Sequence, residues 1–310
     1  MQTYFLKFIA VVIGAIVFTL TSCKTEETSE NEPKEITASV KLDPGPKAYR
    51  KLTKDFSKYW YKGKAEITSY DLTQSRYGEP RPGNAVLVFV TEDFLPKIQV
   101  KADQRNPDNI PVLKLNKTKK FLTGIYPYSI MTSTFYPVKE KKHAIKVSNS
   151  VQEWCGHVYA QINNKKEFEI TAHSYFQGEA DQKITLQKNI LEDELWTQIR
   201  LNPEDLPVGD FNIIPSLEFI RLKHQEFKAY KATTSLKKNA NTSVYSIQYP
   251  KLGRILAIEF SNNFPYTIEG WEETTNYGYS TSARKKKQIL SAYWQKNSNK
   301  DVHLRDSLGI

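Results

Sequence analysis

Apolar and polar residues alternate with a period of two along most of the chain, which is typical of half-buried β-strands. In residues 98–102, Ile98, Val100 and Ala102 are expected to face one way and the polar residues between them the other. Other strand-like runs lie at 65–72, 85–94, 122–135, 143–147, 226–236, 243–249, 254–260 and 266–271. About ten antiparallel strands are expected. This predicts a mostly β fold, an antiparallel curved sheet or partly open β-barrel with a few short helices.

Three segments show helical spacing instead. Residues 49–60 place their aromatic side chains about one turn apart, which predicts a short helix before the first strand. In residues 189–199, Asn189 and Glu192 have the spacing of a capping box, so a helix is expected to begin there. The tail at 283–294 fits an amphipathic helix or an edge strand, and we favour the helix.

The clearest predicted hairpin pairs residues 151–162 with residues 168–176. Each segment has one apolar face, and aligning the two faces places Ile162 opposite Phe168. A slip of one residue would place Glu167 on the buried face, so this register is favoured.

The polar face of this hairpin carries the candidate chemistry. In the predicted register His157 lies opposite His173, and Cys155 lies opposite Tyr175. Opposed residues have Cβ atoms about 4.5–5.5 Å apart, which suits a zinc site with His157, His173 and Cys155 as ligands. A second interpretation is a Cys155 nucleophile with His157 as its base. A third is polar packing without catalysis. Zinc is the one cofactor that the pattern suggests.

Aromatic residues are abundant, with five Trp and 18 Tyr. Tyrosines at strand positions are candidates to line a ligand cavity or a sugar-stacking surface, although aromatic residues also fill β-sheet cores. The candidates are Tyr126, Tyr128, Tyr159 and Tyr175. Acidic runs at 92–93 and 192–194 lie at the ends of predicted elements, where we expect solvent exposure.

The N-terminus has the pattern of an exported lipoprotein. An apolar run begins at Phe8, after Lys7, and ends in Leu20-Thr21-Ser22-Cys23, which resembles a bacterial lipobox. The run is too short to span a bilayer. Residues 1–22 are therefore predicted to be a lipoprotein signal peptide, and Cys23 the lipidated residue.

The next segment bears on location. Residues 23–45 are expected to form the lipidated N-terminus and an acidic, disordered tether, because residues 24–32 contain no apolar residue. A lysine followed by paired acids after Cys23 resembles the export signal of Bacteroidota surface lipoproteins, whereas a plain acidic spacer would face the periplasm. An outer-membrane lipoprotein is predicted in either case. Residues 46–310 are expected to form a single β-rich domain.

The chain is basic, with a formal net charge of +10. The signal peptide contributes one positive charge and residues 24–35 contribute five Glu against two Lys, so residues 36–310 carry +12. Outside the cytoplasm this favours anionic lipid headgroups or acidic glycans as partners. Nucleic acid is not expected there. With Cys23 lipidated, Cys155 is the one remaining cysteine, so no disulfide framework is expected.

Four segments resemble those of a family of Bacteroidota lipoproteins of unknown function, and the resemblance covers nearly the whole mature chain. The segments are residues 59–66, 76–79, 152–157 and 202–207. Members often carry the name "septum formation inhibitor Maf", but Maf proteins are cytoplasmic nucleotide pyrophosphatases with a Ser-x-Ser-Pro-Arg-Arg motif. Residues 280–285 approximate that motif with Ala283 in place of proline, too near the C-terminus for the Maf domain to follow. The resemblance therefore implies a location and no reaction.

Three functions remain open from the sequence. The leading hypothesis is a non-enzymatic, membrane-anchored binding module for an anionic or amphipathic ligand, lipid or glycan. The second is a metal- or thiol-dependent enzyme centred on Cys155, His157 and His173. The third is a structural partner in an envelope protein complex, which would use exposed edge strands. In each case the N-terminal lipid would contact the membrane.

Overall fold

The alternating pattern produces one very large sheet. The computed structural model describes residues 49–276 and 278–310, and strands make up 53% of the described residues against 16% in helices. The prediction of a mostly β fold with a curved sheet is confirmed, and the sheet is not closed. The strands are Ala65–Arg76 (β1), Glu79–Leu95 (β2), Val100–Lys101 (β3), Ile110–Thr123 (β4), Tyr126–Pro137 (β5), Lys146–Glu153 (β6), Gly156–Asn164 (β7), Phe168–His173 (β8), Gln182–Leu186 (β9), Ile190–Leu191 (β10), Gly209–Ile214 (β11), Tyr230–Lys238 (β12), Thr242–Tyr249 (β13), Arg254–Ser261 (β14), Ile268–Thr275 (β15) and Thr281–Ser291 (β16).

The strands follow one another almost entirely as antiparallel neighbours. The order across the sheet is β10-β11-β12-β13-β14-β15-β16-β1-β2-β4-β5-β6-β7-β8-β9, and β3 pairs with β2 outside this path. The first and last long strands, β1 and β16, therefore pair in the middle of the sheet. The edge strands β9 and β10 are consecutive in the chain and are joined by residues 187–189.

Three short α-helices accompany the sheet, at Lys54–Trp60 (α1), Glu192–Leu201 (α2) and Leu217–Leu222 (α3). Thr53 caps α1 by accepting a hydrogen bond from the backbone N–H of Phe56 at 3.0 Å. Four short 3₁₀ helices complete the described secondary structure, at Pro203–Asp205, Pro250–Leu252, Tyr293–Gln295 and Asn299–Leu308.

Helix α2 lies inside the curve of the sheet. Glu192 pairs with Arg254 of β14, Arg200 pairs with Glu66 of β1, and the backbone oxygen of Asp193 accepts a hydrogen bond from Thr134 of β5. These three strands are well separated in the sheet order, so a helix that reaches all of them lies on the side toward which the sheet bends.

The predicted hairpin register is wrong, although the apolar residues within β7 and β8 face the buried side as predicted. Ile162 lies opposite Ile170, and Phe168 lies opposite Asn164, a shift of two residues that keeps the apolar sets on the same side. The shift arises because the loop between β7 and β8 contains only residues 165–167. A separate turn at Trp154 and Cys155 divides residues 151–162 between β6 and β7 and leaves Trp154 exposed, where burial was predicted.

Three other expectations are corrected. The tail does not form a helix, because residues 281–291 form β16 between β15 and β1. Residues 98–102 contain only the two-residue strand β3. Helix α2 begins at Glu192, because Ile190 and Leu191 pair with β11.

The acids at residues 192–194 are buried, where solvent exposure was expected. Each has a cationic or N–H partner, as buried charge requires. Glu192 binds Arg254, Asp193 accepts from the backbone N–H of Leu217 at 3.0 Å, and Glu194 binds His143.

The ion pair between Glu66 and Arg200 is the most completely enclosed in this region. Its two N–O distances are both 2.6 Å, and the side chains are 0% and 1% exposed. Burial raises the pKa of Glu66, but the Arg200 guanidinium outweighs this effect and holds the pKa below its usual value. Tyr59 donates a further hydrogen bond to the same carboxylate.

We predict that Glu66→Ala lowers the free energy of unfolding by about 3–5 kcal/mol, because Arg200 is then left buried without a counter-charge. The measurement is urea denaturation followed by far-UV circular dichroism. Asp108→Ala is the control, since it breaks the exposed pair with Lys97 and should change the value by no more than about 0.5 kcal/mol. Equal effects of the two substitutions would contradict the prediction.

Candidate functional site

A large cavity lies at one end of the curved sheet, where β4 begins and β5 and β7 end. Its volume is 760 Å³, within the range of about 300–1,000 Å³ that is usual for small-molecule sites. We call it the basic-rimmed cavity. The connection at residues 140–145 and the link at residues 187–189 both contribute to its lining.

The walls of the basic-rimmed cavity are largely apolar. The apolar lining residues are Pro96, Ile110, Tyr136, Pro137, Ile145, Ile190, Pro207 and Phe211. Tyr136 is buried, and burial, aided by the Glu194 carboxylate, raises the pKa of its hydroxyl. It therefore stays neutral and contributes a ring surface and a hydroxyl group, and no charge.

The rim carries more positive than negative side chains. The basic residues are Arg50, Lys141, Lys142, Lys165 and Lys188, and the acidic residues are Glu140, Glu194 and Asp205. Asp205 is shared, because Arg50 contacts one carboxylate oxygen at 3.3 Å and Lys141 the other at 2.7 Å. Burial raises the pKa of Asp205, but Lys141 and Arg50 outweigh it and lower the pKa below its usual value.

Lys188 is the cation of the rim that lacks a counter-charge. Among the residues that the structure describes, no acid affects its titration; partial burial and then the nearby Lys142 lower its pKa. The positive charge of Lys188 also acts to lower the pKa of His143. Lys142 pairs with Glu140 and His143 with Glu194, so Lys188 supplies the positive charge at this mouth that no described acid balances. An unbalanced positive charge beside an apolar cavity favours an anion.

His143 is held by Glu194 of helix α2. Its Nδ1 lies 2.8 Å from one carboxylate oxygen of Glu194, while the other oxygen accepts the backbone N–H of Ala144 at 2.6 Å. Burial opposes the charged imidazolium, but the Glu194 carboxylate raises the pKa of His143 above its usual value. The wall at this point is rigid, because the same carboxylate also accepts the backbone N–H of Leu191.

The most polar cavity of the described chain is too small for an organic ligand. It measures 50 Å³, room for a few water molecules, and lies among buried charges of α2, α3 and the sheet. Lys119 contacts Glu218 at 2.6 Å, and Arg254 contacts both Glu192 and Glu273. These groups bind one another, so we assign them a structural role.

The residues proposed for metal or thiol chemistry lie at the opposite end of the sheet. Because of the corrected register, His173 lies opposite Tyr159 and is only diagonal to His157, which lies opposite Gln152. Diagonal neighbours are about 7–8 Å apart. His173 instead contacts Asp181 at 3.1 Å. In residues 49–276 and 278–310, no group of three His, Cys, Asp or Glu side chains is arranged to hold a metal ion.

Cys155 is exposed in the turn between β6 and β7. Its backbone N–H donates to the Glu153 carboxylate at 2.7 Å, and a hydrogen bond with Glu153 raises the pKa of its thiol. A raised thiol pKa reduces the thiolate fraction, which is the opposite of what a nucleophile needs.

The four candidate tyrosines do not line the basic-rimmed cavity. Tyr128 is buried and stacks on Phe121 at 4.9 Å, with Tyr126 6.0 Å away. Tyr159 is half-buried, and Tyr175 is exposed with its hydroxyl 2.9 Å from Glu153. Tyr126, Tyr128 and Tyr175 lie near the hairpin turns at the other end of the sheet.

Sequence reasoning missed the basic-rimmed cavity, because its lining comes from many separate segments. The one local pattern that marks it is Lys141-Lys142-His143, a basic run in a connection between two strands. Its apolar partners Ile190 and Phe211 follow much later in the chain.

Comparison with family models, with curated proteins and with solved structures finds no match to this chain. No described helix has the length and apolar character needed to cross a membrane. The function proposed below therefore rests on the geometry and charge of the cavity itself.

We predict that Glu194→Gln lowers the pKa of His143, because the substitution removes the negative charge that favours imidazolium. Since the folded pKa is raised, the stability from this pair is fully present below the unfolded value of about 6.5 and is lost as pH rises through the folded value. The measurement is an NMR titration of the histidine side chains. Glu153→Gln is the control, because Glu153 binds Cys155 and Tyr175 at the other end of the sheet, and it should leave the His143 midpoint unchanged. A His143 midpoint that is unchanged in Glu194→Gln would contradict the assignment.

Proposed function

We propose that the protein is a lipid-anchored binding module of the bacterial cell envelope that takes an anionic amphipathic ligand into the basic-rimmed cavity. The observation that supports this most directly is Lys188, which has no acidic partner in the described part of the chain, beside the mouth of a 760 Å³ apolar cavity. The ligand's hydrocarbon or other apolar group would enter the cavity, and its anionic headgroup would lie against Lys142, His143 and Lys188.

The two parts of the ligand would contribute differently. Each buried CH₂ group contributes about 0.8 kcal/mol, so a chain of eight carbons contributes roughly 6 kcal/mol before the loss of its freedom is subtracted. The headgroup contributes less, because Lys142 and Lys188 are exposed and their attraction is screened by salt. Affinity would therefore follow chain length, and selectivity for anions would follow the rim.

The envelope location belongs to the same proposal. A diacylated Cys23 would hold the binding module at the outer membrane, on the cell surface or the periplasmic face, close to lipids and acidic glycans. The signal peptide 1–22, Cys23 and the tether 23–45 lie outside the described residues. The residues that form the cavity all belong to the described part of the chain.

We predict that dodecyl phosphate displaces the fluorophore anilinonaphthalene sulfonate from the chain beginning at Lys24, which contains every described residue. Lys188→Glu should weaken dodecyl phosphate binding roughly fivefold to tenfold, because it places a negative charge beside the headgroup. Lys183→Glu changes the net charge equally, on exposed β9 outside the cavity, and should have little effect. Dodecanol, which lacks the charge, should bind both variants alike.

The proposal fails if dodecyl phosphate does not displace the fluorophore, or if the two lysine variants weaken its binding equally. Native mass spectrometry of the same chain, purified from cells without detergent, gives the ligand class directly. A bound lipid or glycan mass is expected, and that mass should be less abundant in Lys188→Glu than in Lys183→Glu.

We predict that Cys23→Ala abolishes labelling of the full chain by an alkyne analogue of palmitate in the cells that produce it, because Cys23 would be the acylated residue. Cys155→Ala is the matched control, since it removes the other of the two cysteines. Labelling that persists in Cys23→Ala would contradict the lipoprotein assignment.

A further inference from the structure

A second cavity of 330 Å³ lies between strands β7, β8 and β9 and helix α3. It shares no lining residue with the basic-rimmed cavity. One side is apolar and is formed by Ala160, Ala172, Ile184 and Ile220. Ser174 and Gln182 add a hydroxyl and an amide group to the lining. We call it the Arg221 cavity, after the one arginine in its lining.

Arg221 is buried and forms no ion pair with any acid that the structure describes. Its residue is only 6% exposed, and its Nε and Nη1 atoms have no hydrogen-bond partner among the residues that the structure describes. The guanidinium packs 4.3 Å from the centre of the Phe176 ring, which covers one of its faces. The buried arginines Arg200 and Arg254, in contrast, each have a paired carboxylate.

The carboxylates around the cavity are engaged elsewhere. Glu179 accepts a hydrogen bond from Ser174 at 2.7 Å and contacts His224. Glu153 binds the Cys155 backbone and the Tyr175 hydroxyl, and it attracts Arg221 electrostatically without forming an ion pair with it. Glu226 pairs with Lys228. A buried guanidinium whose N–H groups bind no described acid is costly, so its retention beside a cavity calls for a ligand that accepts those N–H groups.

We propose that the Arg221 cavity binds a small organic carboxylate, with the carboxylate on the Arg221 guanidinium and the body of the acid against the apolar side. A guanidinium donates parallel N–H bonds to a planar carboxylate, a geometry that lysine does not reproduce. The volume is at the lower end of the range for small-molecule sites, so the acid is small. This site is independent of the ligand proposed for the basic-rimmed cavity.

The test is the thermal unfolding of the chain beginning at Lys24, with benzoate or glucuronate as the carboxylate and inorganic phosphate as the comparison anion. We expect at least one carboxylate to raise Tm saturably by about 2–5 °C, and phosphate to raise it less. The rise should disappear in Arg221→Met. Arg305→Met, which removes an exposed positive charge, should keep it.

The unliganded variants separate a binding role from a structural one. Because Arg221 forms no ion pair with a described acid, Arg221→Met should unfold at the same temperature as the unsubstituted chain or higher, whereas a structural arginine would lower Tm on removal. Arg221→Lys keeps the charge without the planar donor set and should show a smaller carboxylate response. If Arg221→Met does not fold, Arg221→Lys carries the test.

The proposal is overturned if neither carboxylate raises Tm, if phosphate raises it as much as both carboxylates, or if the carboxylate response persists in the Arg221 variant. Binding of dodecyl phosphate to Arg221→Met should be unchanged, because that probe is assigned to the other cavity. The two proposals can therefore fail separately.

Discussion

The buried ion pairs at the two ends of helix α2 determine how the inside of the sheet is filled. Glu192 at its start binds Arg254, and Arg200 in its last turn binds Glu66. The signs also suit the helix dipole, with an acid at the N-terminus and a base at the C-terminus. Desolvating these charges is costly, and each cost is offset only when the helix meets both strands in one position. We infer that the pairs specify the position of α2 more than they add to stability.

The basic-rimmed cavity follows from that placement. With both ends of α2 bound to strands, the side of the helix that carries Glu194 and Gln198 is directed at the ends of the neighbouring strands and forms one wall of the cavity. Glu194 then binds His143 and the Ala144 backbone, which fixes the connection that brings two lysines to the rim. The buried ion pairs that fix α2 therefore also fix the connection that carries the exposed lysines at the mouth of the cavity.

Local alternation was sufficient to predict most strands and their buried faces, because it depends only on neighbouring residues. It failed for segments whose structure is determined by residues distant in the chain. The basic tail forms β16 because β1, more than 200 residues earlier, pairs with it, and Glu192 is buried because Arg254 meets it there. The two-residue turn at Trp154 and Cys155 has no glycine at its centre to mark it, so the division of residues 151–162 into two strands was missed.

Neither cavity could be predicted from local patterns, since each collects residues from several strands and a helix. The basic run at residues 141–143 was visible in the sequence, but its meaning depends on Ile190 and Phe211 lying beside it. No local pattern in the sequence marks Arg221. Only the three-dimensional packing shows that it is buried and that the acids around it have other partners.

The connectivity divides the sheet into two halves. The chain builds one half from β1 to β9 and the other from β10 to β16, and the pairing of β1 with β16 joins them. On the open side, the two halves are joined by the link at residues 187–189, which can span no more than about 14 Å between Leu186 and Ile190. Lys188 lies in this link. Widening the opening would break no hydrogen bond between strands, but it would stretch this link and break the contacts of Glu194 with His143 and Ala144, which also join the two halves.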